Sequence, residues 1–191
     1  TISHERKAIL AETFAAAYIS SEYKDIVAYA AERFVEIIPE IDAPSHSNAI
    51  LHAVPQLNST NSKPAATVYG TAKEQNNGNV GESTLDTHNP QTWTVLRHIY
   101  KQLVDMSPGE WIHIGGDECP KTSWKNCPTC QKRIEAEGLQ ADGKHSAEER
   151  LQSYVIKRME KMLAKYGRKI IGWDEILEGG LSPEATVMSW R

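Results

Sequence analysis

The chain has 191 residues, 40% of them hydrophobic and 24% charged, which is enough for one globular domain with a sizeable core. A formal charge of −4 and an isoelectric point near 6.0 supply no basic stripe for a nucleic-acid backbone. The longest apolar runs, such as Phe34 to Ile38, are far too short to cross a bilayer, so no membrane span is expected.

The chain begins at Thr1 without a methionine or signal peptide and reads as a processed form or a piece of a longer protein. Residues 1 to 17 are weakly helical in pattern and receive no role. Tyr23, Ile26, Val27, Ala30 and Phe34 then recur at three and four positions, which predicts an amphipathic covering helix. Val35 to Ile41 follows as a first strand, and Asn58 to His88, rich in Gly, Asn, Ser and Thr, reads as a long loop. A second helix opens at Asn89-Pro90, where an N-cap precedes a proline whose missing N–H costs nothing, and it should bury Trp93, Leu96, Tyr100 and Leu103. Trp111 to Gly115 is the second strand. The third helix starts at a capping box, Ser146 to Glu149. It carries Leu151, Tyr154, Val155, Met159, Met162 and Leu163, and ends where Gly167 can take a left-handed cap. Lys169 to Trp173 and Thr186 to Trp190 complete four strands. Strands alternating with helices, the first three ending in polar residues rather than hairpin turns, predict parallel βα units that deliver side chains at strand C-termini.

The sharpest segment for chemistry is Trp111-Ile-His-Ile-Gly-Gly-Asp-Glu118, an alternating apolar strand that runs into two glycines and two adjacent carboxylates. Neighbouring acids on extended backbone point to different sides, so one can protonate a leaving group while the other does a separate task. A solvated loop with Asp117 capping a helix is the plainer alternative. Pro39-Glu-Ile-Asp-Ala-Pro-Ser-His46 also ends a strand in acids and a histidine, and His46 either couples to a catalytic acid or is structural. Trp173 and Trp190 sit at the ends of the last two strands, where an indole either stacks on a sugar face or fills the core. Cys119, Cys127 and Cys130 include only one C-x-x-C pair. A disulfide or free thiols therefore outweigh a zinc knuckle, and no metal and no cofactor are expected. Pairing Cys119 with Cys127 or Cys130 would pin the loop after Glu118.

Taken together, Pro39 to His46, His113-Ile-Gly-Gly-Asp-Glu118, Gly172-Trp-Asp-Glu175 and Val187 to Trp190 resemble the third to sixth barrel strands of family 20 glycoside hydrolases, the β-N-acetylhexosaminidases. The resemblance runs from about Tyr18 to Arg191 and includes Asp25 to Arg33. It implies an α/β fold, a partial (β/α)8 barrel of about four parallel units, and a single partial catalytic domain. It also implies a retaining, substrate-assisted mechanism in which the substrate's 2-acetamido oxygen is the nucleophile, an exception to the usual carboxylate pair. By transfer, Glu118 is the general acid, kept neutral by desolvation and by Asp117's charge, and Asp117, kept ionised by hydrogen bonds, orients the acetamide. His46 stands behind Glu118, Trp173 and Trp190 wall the acetamide pocket, and Asp42 supports from behind.

One departure is that Ser45 stands where the family pattern usually has glycine, so a backbone that needs glycine there would displace His46. The first two and last two barrel strands are not expected within this length, which leaves open edges suited to self-association. The implied partner is a glycan bearing N-acetylglucosamine or N-acetylgalactosamine, in a periplasmic, secreted or lysosome-like compartment. A non-catalytic carbohydrate-binding or structural half-barrel is the alternative function, and a small metal-binding module on the cysteines is a third.

Overall fold

The computed structural model describes residues 20–59 and 83–191. Residues 1–17 and most of the loop expected over 58–88 lie outside that range. In chain order the helices are α1 (Ser20–Ala31), α2 (Asn48–Ala53), α3 (Pro90–Met106), α4 (Lys121–Lys125), α5 (Pro128–Ala136) and α6 (Ala147–Ala164). Strands β1 (Trp111–His113), β2 (Lys169–Trp173) and β3 (Thr186–Met188) form one sheet in the order β1-β2-β3. Both pairings are parallel, with Trp111 opposite Lys169 and Ile171 opposite Thr186.

The ladder continues beyond the formal strand ends, because Ile114 N–H donates to Ile171 O at 2.8 Å and Trp173 N–H to Gly115 O at 2.9 Å. The expected first strand, residues 35 to 41, is realised only as a short parallel bridge of Glu40 with His113. Ile41 N–H donates to His113 O at 3.0 Å, and Ala43 N–H to Ile114 O at 3.1 Å. Pro39 has no N–H to offer, and Val35 and Ile38, at 53% and 40% exposed, gain no packing to hold them extended. The fourth strand stops at Met188 rather than reaching Trp190.

The helix expectations follow the physics of their caps. Asn89 accepts from Gln91 N–H at 2.9 Å with Pro90 at the first position, and α3 buries Trp93, Leu96, Tyr100 and Leu103 as its period requires. The reciprocal capping box of Ser146 and Glu149 opens α6, whose Leu151, Val155, Met159 and Leu163 are fully buried. Gly167, at φ 69°, lets Arg168 N–H reach back to Leu163 O at 3.1 Å and closes the helix. Phe34 departs from expectation. It lies beyond the end of α1, at φ 58°, and is fully exposed, because the chain turns after Ala31 and swings its ring off the helical stripe.

The core lies where α3 and α6 cover β1 and β2, around Ile112, Ile114, Ile170 and Met159. Its aromatic rings keep their polar ends satisfied: Trp93 Nε1 donates to Thr87 O at 3.0 Å and Trp124 Nε1 to Leu85 O at 3.2 Å. Gln152 of α6, completely buried, donates to both Gly116 O (3.1 Å) and Glu175 O (2.9 Å). One side chain thus clamps the segments leaving β1 and β2, and so sets the rim on which the acids stand.

Candidate active site

β1 delivers its chain into Gly115 and Gly116, at φ 67° and 89°, a path that a side chain would resist. A Cβ on Gly115 would fall 1.9 Å from Asp42 Oδ1. The glycine therefore makes room for the acid of the neighbouring segment, Asp42, whose Oδ1 accepts from Gly116 N–H at 3.0 Å. Gly115→Ala is expected to displace the Asp42 carboxyl and to cost more than the roughly 1–2 kcal/mol of a left-handed alanine. Thermal unfolding of a complete protein containing this segment should show the loss, together with at least a tenfold fall in kcat.

The segment before α2 is held by Ser47 N–H to Ser83 O (3.1 Å) and Leu85 N–H to Pro44 O (2.9 Å). These bonds present His46 toward the acids: its Nε2 lies 3.1 Å from Glu118 Oε2 and 3.4 Å from Asp117 Oδ2. His46 and Glu118 both adopt left-handed backbone, at φ 48° and 45°, an arrangement that non-glycine residues rarely take. Ser45 is buried and is not among the positive-φ residues, so the position needs no glycine, and His46 itself makes the turn.

Asp42, His46 and Asp117 bring donor atoms within 4.8 Å of one another. Burial, and then the negative charge of Asp117, push Asp42 up to about 8. The hydrogen bond to Asp117 raises His46 to about 9 against the opposing effect of burial. Burial works against an ionised Asp117, yet bonds with His46 and Asp42 hold it below the ordinary carboxylate value. Two acids and an imidazole thus settle as a neutral Asp42, an anionic Asp117 and a cationic His46. Asp117 Oδ1 is enclosed and accepts no hydrogen bond within the described residues, and a proton carried by Asp42 would satisfy it.

Glu118 departs from the desolvated carboxyl that the resemblance implies, since 54% of its side chain is exposed. Burial acts on Asp42, in the neighbouring bridged segment, and raises its proton affinity.

These groups give stability a definite pH dependence. The folded values of His46 and Asp42 lie above their unfolded values of 6.5 and 3.8, so the native state binds more protons across each interval. Their contributions are complete below the unfolded values and are lost as pH rises through about 9 for His46 and about 8 for Asp42. Asp117 has the opposite sign: its contribution is present above 3.8 and is lost on acidification. The urea midpoint should therefore fall between pH 6.5 and 9, and His46→Gln should flatten that fall; an unaltered slope in the variant would exclude the pair.

Trp173 stands at the end of β2, with Nε1 donating to Glu40 Oε1 at 3.0 Å and its ring 4.9 Å from that of His113. His113 Nδ1 accepts from Gly115 N–H at 3.1 Å, and burial lowers its proton affinity, which leaves the ring neutral. Trp190 belongs to a separate group: Nε1 donates to Glu175 Oε2 at 3.1 Å and half of the residue is exposed. Glu40, His113, Glu175 and Gln152 received no role from the sequence. A period-of-two reading would have placed Glu40 beside Asp42, and His113 in line with Gly115 and Asp117. Cys119, Cys127 and Cys130 are all buried and none forms a disulfide, so no disulfide pins the loop after Glu118. Burial pushes the Cys119 thiol up to about 12.

A parallel α/β sheet with charge-coupled acids at the mouth of one strand defines a class of protein that sets acid–base chemistry at strand C-termini. The catalytic-domain model of glycosyl hydrolase family 20 matches residues 2–191, and the chain belongs to that family. It is 43% identical over 174 residues to a β-hexosaminidase of Porphyromonas gingivalis, covering 91% of this chain and 21% of the relative. With a Vibrio furnissii β-hexosaminidase it shares 31% over 183 residues, covering 95% of this chain and 28% of the relative. Among solved structures, Flavobacterium johnsoniae chitobiase superposes with a TM-score of 0.72 at 34% identity, covering 90% of this chain and 24% of that one. The exo-β-N-acetylglucosaminidase of Vibrio harveyi in complex with N-acetylglucosamine gives 0.73 at 25% identity, covering 90% of this chain and 25% of that one. The chain thus spans between 21% and 28% of the length of these relatives.

Proposed function

We propose that this chain is the central part of a (β/α)8 barrel, strands 3 to 6. We further propose that it carries the catalytic carboxylates of an enzyme that removes terminal, non-reducing β-linked N-acetylhexosamine residues with retention. The observation that carries the reading is His46 Nε2 within 3.4 Å of Asp117 and 3.1 Å of Glu118, at the mouth of a parallel strand. Residues 39–43, β1, β2 and β3 stand side by side in sequence order and in parallel, the arrangement of consecutive barrel units. The bound N-acetylglucosamine of the Vibrio harveyi relative supports the substrate class.

In this mechanism the acetamido carbonyl oxygen attacks the anomeric carbon while Glu118 delivers its proton to the glycosidic oxygen, which leaves as an alcohol. Asp117 stays ionised, orients the acetamide N–H and offsets the positive charge of the oxazolinium. Glu118, now a carboxylate, takes a proton from water, whose oxygen attacks the same carbon and reopens the ring. Closure of the site over substrate would supply the desolvation that Glu118 lacks here. His46, cationic and tied to both acids, tunes that proton. Trp173 and Trp190 wall the acetamide pocket, with Glu40 holding the Trp173 indole. No helix among the described residues is long and apolar enough to cross a membrane.

The complete enzyme should hydrolyse a chromogenic β-N-acetylglucosaminide, and the matching glucoside, which has no internal nucleophile, should be a very poor substrate. Sugar binding without turnover would leave a carbohydrate-binding half-barrel. Comparable turnover of the glucoside would exclude substrate assistance.

A further inference from the structure

We propose that Asp86, Cys127 and Cys130 form a binding site for a thiophilic divalent cation, zinc by preference, built from residues separate from the catalytic carboxylates. The sequence offers only one C-x-x-C pair, and that pair alone is a weak signal. The fold adds a third donor, from the segment that leads into α3. Cys127 caps α5, and Cys130 N–H reaches back to Cys127 Sγ at 3.4 Å, so the turn sets both sulfurs on one side. Asp86 Oδ1 lies 3.7 Å from Cys130 Sγ, and the three donor atoms all fall within 4.8 Å of one another. A tetrahedral ion with sulfur at about 2.3 Å and carboxylate oxygen at about 2.0 Å has a sulfur–oxygen edge of roughly 3.5 Å, close to this spacing. The donors are already near coordination geometry.

The surroundings fit a ligand set as well. Cys127 and Cys130 are fully enclosed and Asp86 nearly so. The carboxylate is oriented by His88 N–H at 2.8 Å and Asn89 N–H at 3.3 Å on Oδ1, and by Thr129 Oγ1 at 2.8 Å on Oδ2. Such outer bonds fix a ligating carboxylate and strengthen it. Two thiolates with one carboxylate favour zinc over magnesium or calcium, which take oxygen donors only. A water would complete four-coordination. On binding, each thiol exchanges its proton for the metal–sulfur bond and no electrons move. The ion would staple the turn before α3 to the start of α5.

The test uses the full-length protein, reduced and stripped with a chelator, with cobalt(II) as the probe. Stoichiometric cobalt should produce a sulfur-to-metal charge-transfer band that zinc abolishes. Cys127→Ser and Cys130→Ser should each remove the band, Asp86→Asn should weaken affinity at least tenfold, and Cys119→Ser should leave it intact. No band in the wild type, or an undiminished band in the Cys127→Ser/Cys130→Ser double variant, would overturn the proposal. Should the serine variants fail to fold, zinc K-edge absorption on the wild type decides: sulfur neighbours at about 2.3 Å support the site. Nitrogen and oxygen neighbours alone would refute it, as would formation of a Cys127–Cys130 disulfide in a protein whose reduced form takes up no metal.

Discussion

Glu118→Gln in the complete enzyme is expected to lower turnover of glycan-linked substrates by about 10²–10⁴-fold, the usual contribution of a positioned general acid. The amide cannot donate a proton to the departing oxygen. It can still meet His46, which lies 3.1 Å from the Glu118 carboxylate, so the fold and the left-handed turn should survive. An aryl leaving group that departs as a stable phenolate scarcely needs that proton. Its kcat should therefore fall far less than that of an alkyl glycoside. Equal losses on both substrates, measured with folding checked by circular dichroism, would remove Glu118 from the acid role.

Asp117→Asn is expected to lower kcat by about 10²–10³-fold with little change in KM, because its charge matters most as the oxazolinium develops. The structure adds a second consequence. The carboxylate of Asp117 is the main cause of the raised proton affinity of His46 and, after burial, contributes to that of Asp42. Without it, both groups should relax toward their ordinary values and release their protons at lower pH. The titration of His46, followed by NMR, should move down from about 9 toward 6.5 in the variant. A defect confined to KM, or an unmoved histidine titration, would contradict the assignment.

Much of the scaffold was legible in the sequence because it depends on short-range rules. The Asn89-Pro90 cap, the Ser146–Glu149 capping box and the stripe of Trp93, Leu96, Tyr100 and Leu103 are local statements about backbone donors and helix period, and each is found as read. Three of the four strands were recognisable for the same reason. The first was overread: its apolar run looked like a strand, but Pro39 interrupts the ladder and Val35 and Ile38 gain no packing, so only a bridge forms.

The motif around Gly115 to Glu118 pointed to the acids, yet their electrical states could not be read from it. Those states depend on distances between residues far apart in the chain: Asp42 against Asp117, His46 against Glu118, Glu40 against Trp173. Burial raised the proton affinity of Asp42, and burial is a property of the packed molecule. The approach of Asp86 to the cysteine pair is of the same kind, since nothing in a C-x-x-C turn specifies what a distant loop will place beside it. Residue types, caps and hydrophobic period determined the elements and named the candidate acids. Tertiary packing alone decided which of them face one another and which carries the proton, because Coulomb and desolvation energies depend on separation and exposure in space rather than on order along the chain.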